Sequence, residues 1–286
     1  MSGEAILAID IGGTKMLAAL VERARIVDER ELPTPRDGTA EAWCDALAEA
    51  VSDWRGDYDA VAAAVTGQVR DRHWYTLNPA ILPVPSGFPL AAALEARLGA
   101  PVTLLNDAQA AAWGEHRHGA GEGRDIVFLT ISTGIGGGVV SGGRLLAGAH
   151  GVAASVGQTS LAVEAGQRVE DVAGGGGIAA AARAAGHDTD ARGVFAAAAT
   201  GMAWAEAIVA RATALIARLV HDLQKLFDPD VFVIGGSIGL APGFLERLRA
   251  ALAGVAPPFH PEIRAAGLGK HAGVIGVADL ARATFT

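Results

Sequence analysis

Short apolar runs bounded by glycine or charged residues recur along this chain, and their lengths separate strands from helices. Runs rich in Val, Ile, Leu and Ala predict strands over 5–10, 16–22, 60–66, 102–106, 126–132, 137–141 and 231–234. Longer alanine-rich stretches predict helices over 40–54, 90–98, 108–116, 175–185, 202–226, 243–252 and 272–283. Within 202–226 the apolar residues Ile208, Ala212, Leu215, Ile216, Leu219 and Leu223 fall at helical spacing. That pattern suits a long helix with one face packed on a sheet. Strands alternating with helices predict an α/β fold.

One unit occurs twice. Asp10-Ile11-Gly12-Gly13-Thr14-Lys15 joins two predicted strands, and Ser132-Thr133-Gly134-Ile135-Gly136-Gly137-Gly138 joins two more. The repeat predicts two related α/β domains. The expected division is 1–118 and 119–271, with the glycine-rich stretch 119–124 between them and a C-terminal helix, 272–286, returning to the first domain.

Composition narrows the function. The chain has 286 residues, 51% of them hydrophobic, enough for two ordinary domains with sizeable cores. Its formal net charge is -8 with no long basic run, which argues against nucleic acid or an anionic membrane as partner. A single cysteine, Cys44, forms no intrachain disulfide and fits a reducing compartment. No signal peptide and no uninterrupted apolar run of about 18 residues is recognised, so a cytoplasmic location is expected.

The two glycine turns carry the first candidate chemistry. Gly12 and Gly13 would let backbone N–H groups approach a phosphate, Thr14 and Lys15 would add a hydroxyl and a positive charge, and Asp10 would hold Mg2+ through water. Thr133 and Gly134 would serve the other side of the same phosphates. Either turn could instead be a hairpin that merely needs glycine. Asn106 and Asp107 close an apolar strand and open a helix, where α/β folds place ligands. Asp107 reads as a helix N-cap, as a carboxylate accepting a proton from an attacking hydroxyl, or as both, since capping N–H groups favour the ionised form. Gly235 and Gly236 follow another strand. They would let an adenine lie against the backbone, or they form a plain strand-to-helix turn.

Together these motifs, in this order and spacing, resemble the ROK family of sugar kinases over nearly the whole chain, and bacterial N-acetylmannosamine kinases in particular. Segments 30–35, 106–113 and 132–142 carry the narrower likeness. The resemblance implies an actin/hexokinase-like (ribonuclease H-like) two-domain fold with an interdomain cleft, ATP and Mg2+ as cofactors, and a homodimer. It implies that Asp107 is the general base for a sugar 6-hydroxyl, that Asn106 bonds neighbouring hydroxyls, and that Gly67 lines the sugar pocket. Asp10, Gly12, Gly13, Thr14, Lys15, Thr133 and Gly134 would face the ATP phosphates, with Gly235 and Gly236 beside the adenosine. The implied reaction converts N-acetylmannosamine to its 6-phosphate. Glucokinase-like or N-acetylglucosamine kinase-like activity, or a non-catalytic sugar or nucleotide sensor, stays open as an alternative. Repressor relatives carry an N-terminal helix-turn-helix, whereas this chain opens on its first strand, which disfavours DNA binding.

The chain departs from the family at the sugar. Ser155 stands at the usual glutamate, Gln158 at the usual histidine, and no cysteine follows, so no structural zinc is expected. Gln158 can still bond a hydroxyl or an N-acetyl carbonyl. Glu170 matches the family's sugar-contacting glutamate, and Asn78 is the candidate contact from the sugar-facing loop. His150 is a further candidate nearby.

Overall fold

The computed structural model describes residues 5–35, 38–77, 84–161, 163–164 and 166–285, with only the backbone of 284 and 285. In chain order the elements are β1 (Ile6–Ile11), β2 (Lys15–Glu22), β3 (Arg25–Pro33), α1 (Ala40–Ala50), β4 (Ala60–Val65), β5 (Gln68–Arg70), β6 (His73–Tyr75), α2 (Leu90–Leu98), β7 (Val102–Asn106) and α3 (Asp107–His118). There follow β8 (Ile126–Ile131), β9 (Ile135–Ser141), β10 (Arg144–Leu145), α4 (Val169–Ala173), α5 (Gly175–Ala184), α6 (Ala191–Ala199), α7 (Ala203–Phe227), β11 (Val231–Gly235), α8 (Phe244–Leu252), β12 (Ile263–Ala265) and α9 (Ala272–Phe285).

The chain divides into two compact units. Unit 1 comprises Met1–Gly119, Leu145–Ala153 and Lys270–Thr286; unit 2 comprises Ala120–Arg144 and Ala154–Gly269. Each holds a five-stranded sheet, ordered β3-β2-β1-β4-β7 in unit 1 and β10-β9-β8-β11-β12 in unit 2. Each sheet pairs its glycine-turn hairpin antiparallel, then adds two parallel strands. The duplicated turns are therefore the visible part of a duplicated topology.

Residue alternation positions the first site. In β1, Leu7, Ile9 and Ile11 face a core built with α1 and α2, while Ile6 and Ala8 face a core shared with α9. In β4, Val61, Ala63 and Val65 take the first face, and Ala60, Ala62 and Ala64 the second. The alanine face lets α9 lie close to the sheet. By the same period of two, Asp10 sits on the α9 side. A Cβ on Gly273, in the first turn of α9, would stand 3.2 Å from the Asp10 carboxylate, so only a small residue fits there without displacing it.

The excursion 145–153 joins unit 1 through side-chain bonds. Gln109 Nε2 donates to the carbonyls of Ala147 (3.4 Å) and Ala153 (3.1 Å), and Gln68 Nε2 to that of His150 (2.7 Å). A helix over 40–54 was expected, but α1 stops at Ala50, whose carbonyl accepts from the Arg30 guanidinium; a 3-10 turn, Ser52–Trp54, follows. In α7, Ala212, Leu215, Ile216, Leu219 and Leu223 are buried in the unit 2 core as their spacing predicts, while Ile208 is only partly buried and Val209 takes the buried position beside it. Among the described residues, no single helix is long and apolar enough to cross a membrane.

Candidate functional site

Parallel pairing sets three strand ends side by side in unit 1. Ile11 pairs with Val65, and Val65 with Asn106. Hence Asp10, Thr66-Gly67 and Asn106-Asp107 lie at adjacent C-terminal ends, where an open α/β sheet presents ligand groups. Asp107 Oδ2 accepts from the Thr66 hydroxyl at 2.8 Å. Its Oδ1 accepts from the Ala108 N–H at 2.8 Å and from Asn106 Nδ2 at 3.0 Å. The same Asn106 amide donates to the Gly67 carbonyl at 2.8 Å.

The sequence suggested Asp107 as the N-cap of α3. The cap is instead Asn106, whose Oδ1 accepts from the Gln109 N–H at 3.0 Å. Asn106 has the extended backbone a cap requires, while Asp107 is already the first helical residue. The electrostatic expectation changes with it. Burial holds the Asp107 carboxyl above the usual carboxylate range, outweighing the hydrogen bonds from Thr66, Ala108 and Asn106 that pull it down. Asp10 is pushed up to about 7, first by burial and then by the negative charge of Asp107, with Lys15 pulling the other way.

Two supports escaped the sequence. Thr66 has no motif beyond lying before Gly67. Gly67 itself has φ +116°, and a Cβ there would meet the Tyr75 carbonyl at 2.5 Å, so the turn requires glycine. Thr34, at the end of β3, braces the first glycine turn. Its hydroxyl donates to the Gly12 carbonyl at 2.9 Å and its N–H to the Thr14 carbonyl at 3.0 Å. Thr14 and Lys15 are exposed at the turn. Lys15 Nζ is engaged by Glu31 at 2.9 Å, so a phosphate would have to draw it from that partner. Asn78 lies outside the described residues. His150 is exposed.

In unit 2 the second turn is held from two sides. The Gly175 and Gly176 N–H groups, opening α5, donate to the Ser132 (2.7 Å) and Thr133 (3.0 Å) carbonyls. The N–H groups of Ile238 and Gly239 donate to the Ile131 carbonyl at 2.9 and 3.1 Å. Gly236 has φ +85° and its Cβ would clash with that carbonyl. At Gly235 a Cβ would press on Phe128 at 3.1 Å and Ala266 at 3.2 Å. Internal packing thus accounts for both glycines, and any ligand contact there is through the backbone.

The residues around the second turn form a polar chain. Gln158 Nε2 donates to Glu170 Oε1 at 2.7 Å, and Glu170 Oε2 accepts from the Ile135 N–H at 3.4 Å. Arg168, absent from the sequence-based set, donates to Gln158 Oε1 at 3.0 Å. Its spacing to Asp171 was the available signal: the guanidinium binds that carboxylate at 2.7 and 3.0 Å at the start of α4. Ser155 is half-buried and precedes the turn Val156–Gln158. Among the described residues, no group of three or more His, Cys, Asp or Glu is placed to hold a metal ion. With both polar atoms of its amide engaged, Gln158 does not suit zinc.

Comparison with known proteins gives consistent matches. The ROK family matches the chain over residues 6–284. The bifunctional enzyme NanE/NanK of Brucella melitensis is 51% identical over 98% of this chain but 54% of its own length. The chain thus spans about half the length of that relative. The N-acetylmannosamine kinase of Shigella flexneri is 44% identical over 97% of this chain and 98% of its own. Among solved structures, a ROK family glucokinase from Streptomyces griseus, in complex with glucose and AMPPNP, superposes with a TM-score of 0.81. It is 31% identical, covering 98% of this chain and 99% of that one.

Proposed function

The chain belongs to the ROK family, and on that premise we propose that it transfers the γ-phosphoryl group of ATP to the 6-hydroxyl of N-acetylmannosamine. The observation that carries the proposal is the Asp107 carboxylate. It is half-buried, held by three donors at a strand end, and beside a second carboxylate. In the proposed step, Asp107 takes the proton of the sugar hydroxyl as its oxygen bonds to the γ-phosphorus. The bond from that phosphorus to the β–γ bridging oxygen breaks, and ADP leaves with the electron pair. Asn106 is held by its bond to the Gly67 carbonyl and would position the neighbouring hydroxyls.

Asp10 fits a magnesium ion bound with most of its water. Burial and the Asp107 charge disfavour its ionised form in the free protein, and a divalent cation would offset both. Magnesium bound there would neutralise phosphate charge. The Gly12–Lys15 turn and the Thr133–Gly134 turn each offer N–H groups and a hydroxyl suited to phosphate. Ser155, Gln158 and Glu170 would meet the sugar, and the backbone at Gly235 and Gly236 the adenosine.

The test is ADP release over N-acetylmannosamine, N-acetylglucosamine, glucose, mannose and fructose. N-acetylmannosamine should give the highest kcat/KM. Asp107→Asn should lower kcat by about 10²–10⁴. ATP binding without turnover on any sugar would favour a sensor instead, and preference for another sugar would reassign the acceptor.

A further inference from the structure

Gln158 and Glu170 lie at the two ends of the stretch between the turn Val156–Gln158 and α4, whose described residues form no helix or strand. Something must fix both ends for either side chain to hold a ligand geometry. The backbone supplies one tie, the Val169 N–H to the Thr159 carbonyl at 2.9 Å. Gln158 and Glu170 also bond each other directly, and Arg168 engages both of them. Arg168 donates to Gln158 Oε1, to both oxygens of Asp171, and through its own N–H to Asp171 Oδ2 at 3.0 Å, at the start of α4.

We propose that Arg168 is the positioning residue of the acceptor site, orienting Gln158 through its amide oxygen and Glu170 both through that amide and by a direct ion pair at 3.4 Å, without any metal. The proposal rests on the sugar-kinase reading above and deepens it. The argument is one of donors and acceptors. An amide placed between a guanidinium and a carboxylate has one orientation that satisfies both, oxygen toward arginine and nitrogen toward glutamate. Arg168 therefore selects the orientation in which Gln158 donates to Glu170 Oε1. Without it the amide is free to turn its oxygen onto the carboxylate, which repels Glu170 from its place.

Glu170 also carries the effect to the phosphate turn. Its other oxygen accepts from Ile135 and lies 2.9 Å from where a Gly134 Cβ would stand. Its backbone carbonyl accepts from the Gly174 N–H at 3.0 Å, one residue before the N–H groups that hold Ser132 and Thr133. The Glu170 side chain is 11% exposed against 39% for Arg168. The arginine thus works from the rim, and the carboxylate it aligns is the one placed to accept from sugar hydroxyls.

The experiment compares the wild-type protein with Arg168→Ala and Arg168→Lys. A lysine carries the charge but lacks the planar fork, so it should restore little. Both variants should raise the KM for N-acetylmannosamine about tenfold, the loss of one charge-assisted hydrogen bond, while the KM for ATP stays within about twofold. The second readout needs no turnover: the Gln158 side-chain amide resonance, assigned through Gln158→Glu, should move toward its free position in both variants. Metal analysis of active wild-type protein should find no stoichiometric zinc. An unchanged Gln158 resonance, a proportional loss in both KM values, or stoichiometric zinc would overturn the proposal. If the wild type phosphorylates no sugar, the kinase reading fails and the amide resonance still decides the role of Arg168.

Discussion

Asp10 shows how one residue can oppose stability while serving a site. Its ordinary value is 3.8 and its folded value about 7, so the folded protein keeps a proton that the unfolded chain gives up. Its contribution is full in acid and is lost as pH rises through 7. Asp10→Asn should therefore raise the melting temperature of the ligand-free protein by about 3 °C or more at pH 8, with little change at pH 4, as scanning calorimetry would show. The same substitution should weaken magnesium-dependent turnover. Asp107 shifts in the same direction. As a base it must be ionised, so the acid limb of kcat/KM should lie above the usual aspartate range. Ala154 presents a different strain: it sits at φ +61°, where residues with a Cβ are disfavoured. Ala154→Gly should stabilise the protein by about 0.5–1 kcal/mol in denaturant titration, the relieved strain exceeding the entropy of the added glycine.

Among elements, the crossing of α3 and α9 is the tightest fit. A Cβ on Gly114 would meet the Ala272 carbonyl at 2.5 Å, and one on Gly276 would run into the Ala110 carbonyl. Gly276→Val should force the helices apart and cost about 2–3 kcal/mol, read from the denaturation midpoint. The sequence made the buried strands legible because their apolar runs have no other use: β1, β4, β7, β8 and β11 lie within a residue or so of their expected bounds. It hid β3, an edge strand whose Arg25, Asp28, Glu29, Arg30 and Glu31 leave no apolar alternation. It also hid β12, three residues long, and the short helix α4. The site followed the same rule. Glycine turns and an Asn-Asp pair are local patterns and can be seen in one dimension. Thr66 and Thr34 act across strands, and although Thr34 lies in the 30–35 segment, nothing local to either residue shows the bond it makes.

At the scale of the molecule, two sheets of like order come from one chain, but they are closed differently. Unit 2 is built from 120–144 and 154–269, whereas unit 1 needs three separate stretches, the last beginning at Lys270. That last stretch is anchored on arrival. Lys270 and His271 bind the two oxygens of Glu29 at 2.8 and 2.7 Å, and α9 covers the alanine face of the first sheet. A chain ending at Gly269 should keep a protease-resistant unit 2 and lose unit 1, seen as early cleavage within 5–119 by mass spectrometry.

The helix that seals the alanine face is made only after the whole of unit 2. The half begun first is thus the half finished last. For roughly ten to thirty seconds of elongation after residue 118, its sheet waits uncovered while unit 2 is made. Nascent chains arrested before Lys270 should therefore engage chaperones through the first 118 residues and release them once α9 emerges.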